Sequence, residues 1–282
     1  MQVKVAGRTG FCFGVKRAIN IAERTIRENR CRGAIYSLGP IIHNPQVVEA
    51  LSKKGLCVIK DISRVNHGTV IICSHGAPKD LIEKIKDKGK GIKLVDATCP
   101  FVKYAQDIVS RLKKQGYGVI IVGDKEHPEV KALLSIAEKP LILSSSLKKK
   151  GKGERVRIGV ISQTTQNKEN YLKEVGDILQ YDFSEVRIFN TICSDTSLRQ
   201  ALTRRLLDEC DVMVVIGGKN SANTRRLWQI CRDCGVDSYH IETGAELKKE
   251  YFENKKCVGV VSGASTPEAM VKKVVKSIKK MS

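Results

Sequence analysis

Residues 10–23 read GFCFGVKRAINIAE, and the same design returns as ATCPFVKYAQDIVSRL at residues 97–112 and TICSDTSLRQALTRRL at residues 191–206. Each copy sets a cysteine (Cys12, Cys99, Cys193) directly before a helical pattern. Each follows a strand-like apolar run, at residues 3–6, 92–95 and 186–189. A second landmark recurs downstream in GPIIHNPQVVEAL (39–51), GDKEHPEVKALL (123–134) and GKNSANTRRL (218–227), the last preceded by Gly217. There a glycine ends a strand, and His43, His127 or Ser221 follows four positions later. A third appears in VIICSHGAPKDLIEKI (70–85), IGVISQTTQNKENYL (158–172) and VGVVSGASTPEAMVKKV (258–274), where an apolar run ends at Ser74, Ser162 or Ser262.

Three landmarks in one order, three times over, define a repeat of strands alternating with helices. Such alternation predicts α/β architecture with mainly parallel sheets. Ligands of such sheets bind beyond the carboxyl ends of the strands, where all nine landmark loops lie. Three small α/β domains are expected, at residues 14–98, 99–192 and 193–282, the last joined by the N-terminal strand 1–13. Packed around a pseudo-threefold axis, they would turn their loops toward one central cavity.

Composition fits this picture. The 282 residues are 41% hydrophobic but only 5% aromatic, so the cores should be aliphatic. The longest apolar runs, such as residues 119–122 and 212–216, are far below the roughly 18 residues of a membrane span. MQVKVAGRTG lacks the apolar core of a signal peptide. A cytoplasmic protein without membrane association is expected. In that compartment the ten cysteines are not expected to form disulfides. Cys31, Cys57, Cys73, Cys210 and Cys257 lie in or beside apolar runs and read as small hydrophobes. Cys231 and Cys234 form a CxxC at helical spacing; with no second pair, that is weak evidence for zinc. The net charge of +20 favours anionic partners. Lysine runs at residues 148–150 and 271–280 read as solvated faces. Few aromatics and no recognised module argue against nucleic-acid binding.

Three distant thiols can hold a metal or an iron–sulfur cluster. A cubane held by three would leave one iron open. Zinc on three cysteines and a histidine competes, although zinc-finger ligands come in close pairs. His43, His75 and His127, three of five histidines, sit on landmark loops and point to an anion site. Ser221, Asn223 and Ser265 stand at the corresponding places in the third copy, as anion ligands or as helix caps. Glu129, two residues after His127, is either a proton donor or a first-turn glutamate favoured by the helix dipole. Glu126 is its nearest rival.

GFCFGVKRAI, GPIIHNPQVV, SHGAP, DATCPFV, HPEV, SQTT, NTIC, GGKNSANT and SGAST together resemble the 4-hydroxy-3-methylbut-2-enyl diphosphate reductase family, from Cys12 to Pro267. The resemblance implies a monomeric or weakly associating trefoil of three α/β domains around a central iron–sulfur cluster, expected as [4Fe-4S], which can also occur as [3Fe-4S] or be lost. It implies cluster ligation by Cys12, Cys99 and Cys193. Diphosphate binding by His43, His75, His127, Ser221, Asn223 and Ser265 follows from it too. So do proton delivery by Glu129 and a hydrogen bond from Thr165 near the substrate hydroxyl. The implied reaction is reductive dehydroxylation to isopentenyl and dimethylallyl diphosphate, the last step of the methylerythritol phosphate pathway. Electrons would come from reduced ferredoxin or flavodoxin. Some members carry a second serine where this chain has Ala222, which puts one phosphate contact in doubt. The alternatives from residue chemistry alone are a zinc-dependent hydrolase of a phosphorylated substrate and a basic nucleic-acid-binding protein.

Overall fold

Runs of valine and isoleucine bounded by glycine and polar residues form the strands, because branched side chains suit a pleated surface buried on both faces. A computed structural model describes residues 1–29, 33–63, 65–87, 91–137 and 156–281. Cys31 and the lysine run 148–150 lie outside them.

Eleven strands appear among the described residues, all paired in parallel. They are β1 (Gln2–Val5), β2 (Ile35–Leu38), β3 (Leu56–Ile59), β4 (Gly68–Ile72), β5 (Ile92–Asp96), β6 (Gly118–Val122), β7 (Arg157–Ser162), β8 (Glu185–Phe189), β9 (Val212–Ile216), β10 (Asp237–Ile241) and β11 (Cys257–Ser262). The helices are α1 (Phe13–Glu28), α2 (Pro45–Lys53), α3 (Lys79–Asp87), α4 (Pro100–Lys114), α5 (Pro128–Ala137), α6 (Lys168–Ile178), α7 (Ser194–Leu207), α8 (Ala222–Asp233) and α9 (Glu268–Met281).

The strands form three sheets. Sheet A runs β1-β11-β9-β10, sheet B runs β5-β4-β2-β3 and sheet C runs β8-β7-β6. One plan governs all three. The strand leading to a cysteine lies at the edge, the strand ending at a landmark serine comes next, and the strand ending at the landmark glycine follows. The threefold pattern is therefore a pattern of strand order. The α/β class with parallel sheets holds.

Two compact units emerge. One comprises residues 1–16, 43–48 and 193–282 and contains sheet A; the other comprises residues 17–42 and 49–192 and contains sheets B and C. In the first, Val212, Val214 and Ile216 face α9, while Met213 and Val215 face α7 and α8. Their burial on both faces explains the unbroken apolar run VMVVI, and each fully buried side chain contributes about 1.5–3 kcal/mol. The lysines of α9 are exposed, and Val271, Val274 and Ile278 make its buried stripe. In the second unit, α4 and α5 cover one face of β6 and β7, and α6 covers the other.

Helix starts follow local chemistry. Asn167 caps α6 by accepting from the N–H groups of Glu169 and Asn170, and Pro100 opens α4, where a missing N–H costs nothing. No described helix is long and apolar enough to cross a membrane.

Candidate active site

All three repeat cysteines occupy the residue before a helix. The Cys12, Cys99 and Cys193 carbonyls accept the first helical bonds, from Lys16, Lys103 and Ser197. Cysteine is a poor choice for such a position, where an oxygen-bearing side chain would satisfy the free N–H groups. Neither Cys99 nor Cys193 makes a side-chain cap bond. The Cys12 sulfur accepts from the Val15 N–H at 3.4 Å, the weak bond that a sulfur makes. All three are half-buried and outside disulfides. Helix N-termini carry partial positive charge and favour thiolate ligands. In this respect the donor set fits a soft metal or cluster.

Cys12 and Cys193 share the first unit and feel each other. Burial pushes the Cys12 thiol up; Asp195 and Cys193 push it further, while the Val15 N–H and Arg199 oppose them. Arg199, from α7, organises this end of sheet A although only 2% exposed. Its Nε donates to Asp195 at 2.6 Å. Its other nitrogens donate to the carbonyls of Gly10 at 2.8 Å, Ser262 at 3.0 Å and Arg8 at 3.3 Å. One guanidinium thus ties the loop before Cys12, the turn after Cys193 and the loop after β11. Sequence reading missed Arg199, because arginine ordinarily signals surface. Its place six residues after Cys193, on the helix face shared with Asp195, was the available signal.

The first unit also gathers four of the expected anion ligands. The Ser265 hydroxyl donates to the His43 carbonyl at 3.0 Å. Gly217 adopts φ +148°, and a side chain there would strike the Thr224 and Thr266 hydroxyls at 2.7 Å; one at Gly218 would strike the His43 carbonyl at 2.6 Å. The glycines therefore let these loops close on each other. Ser221 caps α8 by accepting from the Thr224 N–H. Asn223, two residues along and 4% exposed, has no hydrogen-bond partner for either amide atom among the described residues. An amide so placed costs about 1–3 kcal/mol until something binds it. Burial and then Arg225 hold the His43 imidazole down at about 4, so at neutral pH it is an uncharged hydrogen-bonding group.

The second unit holds the other expected residues. His75 follows β4 in a loop pinned by the Ser74 hydroxyl, which donates to the Ile41 carbonyl at 3.0 Å. Its ring stands edge-on to that of His127, with centroids 5.5 Å apart. His127 Nδ1 accepts from the Glu129 N–H at 3.2 Å, which assigns the neutral ring's proton to Nε2.

Glu129 lies in the first turn of α5 and is 1% exposed. Its oxygens accept from the Thr164 N–H at 2.6 Å and the Thr164 hydroxyl at 2.8 Å. Burial raises its pKa to about 7, against the pull of those two bonds. Glu126, by contrast, is 76% exposed at its side chain and paired with Lys131 at 2.7 Å. Thr165, next to Glu129's partner, accepts from the Gln163 amide at 2.7 Å, and that amide's oxygen accepts from the Asp124 N–H. Thr164 and Gln163 are thus supporting residues that the motif SQTT contained but sequence did not rank.

The remaining cysteines sort by burial. Cys73, Cys210, Cys231 and Cys257 are buried; Cys57 is exposed on β3, contrary to its reading as a small hydrophobe in an apolar run. Cys234, the C-cap of α8, is exposed while Cys231 points into the core, so their spacing reflects helix geometry.

Fold and residues together define a class: a parallel α/β protein with thiols at helix N-termini, and with buried histidine, amide and carboxyl groups at strand ends. The family described as LytB protein matches residues 3–279. A 4-hydroxy-3-methylbut-2-enyl diphosphate reductase of Syntrophotalea carbinolica is 43% identical over 284 residues, covering 100% of both chains. A solved (E)-4-hydroxy-3-methyl-but-2-enyl diphosphate reductase, the terminal enzyme of the non-mevalonate pathway, is 42% identical with a TM-score of 0.68. The match covers 99% of this chain and 100% of that one. The E-1-hydroxy-2-methyl-but-2-enyl-4-diphosphate reductase from Plasmodium falciparum is 27% identical with a TM-score of 0.91, covering 98% and 87%. This chain belongs to the LytB family. The resemblance read from the motifs holds, and the relatives support the reductase reading over the zinc hydrolase and the nucleic-acid-binding protein.

Proposed function

We propose that this chain reduces 4-hydroxy-3-methylbut-2-enyl diphosphate to isopentenyl and dimethylallyl diphosphate. The overall change replaces a carbon–oxygen bond by a carbon–hydrogen bond, with two electrons and two protons entering and water leaving. Such a reaction needs a group that keeps a proton at neutral pH beside an anionic substrate. The observation that carries the reading is Glu129, a sealed carboxyl raised to about 7 and oriented by Thr164.

Cys12, Cys99 and Cys193 would hold an iron–sulfur cluster, taken as [4Fe-4S], which when bound supplies single electrons and a Lewis-acidic iron without a protein ligand. The imidazoles of His43, His75 and His127 donate to diphosphate oxygens, as do Ser221, Asn223 and Ser265. Binding there supplies the missing partner of the Asn223 amide. Where relatives offer a second serine, Ala222 offers only its backbone, and the diphosphate relies on the neighbours. Glu129 gives up its proton as the substrate hydroxyl departs. The Thr165 hydroxyl, its oxygen engaged by Gln163, keeps its own proton available for the substrate oxygen.

We read the chain as a cytoplasmic monomer of three domains, 14–98, 99–192 and 193–282 with 1–13. It would take electrons from reduced ferredoxin or flavodoxin, and its net charge of +20 would steer so acidic a donor. The test is an anaerobic assay with a chemical reductant. The expected result is two electrons consumed per diphosphate product; protein replete in iron and sulfide that leaves the substrate untouched would overturn the proposal.

A further inference from the structure

At the amino end of sheet A lie two thiols that the proposed reaction does not use. Cys210 stands in the turn between α7 and β9, and Cys257 is the first residue of β11. Their sulfurs are 2.8 Å apart, less than 1 Å beyond the roughly 2.05 Å of a formed bond. The backbone holds them there. The Asp211 N–H donates to the Cys257 carbonyl at 3.0 Å. The Asp211 carboxylate accepts from the N–H groups of Lys256 at 2.7 Å and Cys257 at 2.8 Å. One residue later the strands are in register, Val258 opposite Val212. Gly259 supplies the room: a side chain there would meet the Met213 sulfur at 2.3 Å and the Cys210 sulfur at 3.4 Å.

We infer that Cys210 and Cys257 are a dithiol site that closes to a disulfide by exchange with a low-molecular-weight disulfide such as oxidised glutathione. One thiolate attacks the external disulfide and releases the first external thiol. The second cysteine then attacks the mixed disulfide and releases the second. The two thiol protons and two electrons leave with the external partner, which departs as two thiols. Lys4, ion-paired to Glu209 at 2.7 Å, favours the Cys210 thiolate. Burial and then the Cys257 sulfur push the Cys210 thiol up to about 12, so the exchange is slow.

The bond would pin the end of α7 and the start of β11. Ser262 lies about 16 Å from Cys257 along that strand, so the cross-link stiffens the scaffold without entering the substrate loops.

The test equilibrates anaerobically purified holoenzyme in mixtures of reduced and oxidised glutathione. Samples that keep their visible absorption are blocked with N-ethylmaleimide, digested and mapped by mass spectrometry. The expected result is a Cys210–Cys257 linked peptide that rises with oxidant and disappears with dithiothreitol. It should come with a rise in Tm of about 5–10 °C. Both signals should be absent in C210A and in C257A, so neither depends on one variant folding. Two maleimide-labelled cysteines after full oxidation, two separate glutathione adducts, or linkage to Cys57 or Cys234 would each overturn the inference.

Discussion

The two ends of sheet A carry cysteines in opposite circumstances. At the carboxyl end, Cys12 and Cys193 are half-buried at helix starts, among loops tied by Arg199. At the amino end, Cys210 and Cys257 are buried against each other in an aliphatic cluster with Met213 and Val261. The same side chain thus stands half-buried at helix starts at one end and against its own kind at the other. Strand direction makes the difference. Parallel strands gather helix N-termini, with their unpaired N–H groups, at the carboxyl end, and helix C-termini at the other.

The sharpest way to break this comparison is Cys193→Ser. It should lose most bound iron and sulfide and all turnover, measured by metal analysis and anaerobic assay, while Cys210→Ala keeps both. Next in size is Glu129→Gln. Its turnover should fall about 10²–10⁴-fold with substrate affinity retained, and normal turnover would remove Glu129 as proton source. Arg199→Met would leave the half-buried Asp195 with Arg8 as its remaining cation, at 2.8 Å, and three carbonyls without their guanidinium donor. A loss of about 1–3 kcal/mol in denaturant unfolding is expected, with partial rescue by Arg199→Lys.

Glu129 also predicts a pH signature. Its folded pKa of about 7 exceeds the ordinary 4.5. The unfolded chain therefore sheds a proton that the folded chain keeps between those values. Stability should fall as pH rises through that window, by about 3 kcal/mol in total, and level off above it. Unfolding of the wild type minus that of Glu129→Gln isolates the effect from the opposite trend of His43. The smallest expected effect is Asn223→Ala. It should weaken pyrophosphate binding by about 1–2 kcal/mol in calorimetry and leave stability in the absence of ligand unchanged or higher, because the amide it removes has no partner.

Much of this was legible in the sequence. Apolar runs such as VMVVI and GVIIV announced buried parallel strands. The regular return of cysteine, glycine and serine marked the loops at their carboxyl ends. From residue chemistry alone Glu129 was legible only as one of two carboxylates, although the family resemblance singled it out; burial separates it from Glu126, and burial is a property of the fold. Arg199 and the Cys210–Cys257 pair were not legible. Arg199 bonds to backbone carbonyls, which leave no trace in residue types. The two cysteines are 47 residues apart in the chain and meet only because β9 and β11 are neighbours.

The most direct test is anaerobic purification of the full chain followed by iron and sulfide counts and visible absorption. The account predicts three to four irons per chain with matching sulfide (~4 for a complete cubane), lost together in Cys12→Ser, Cys99→Ser and Cys193→Ser. Zinc without sulfide, or an iron and sulfide content indifferent to those three substitutions, would contradict it.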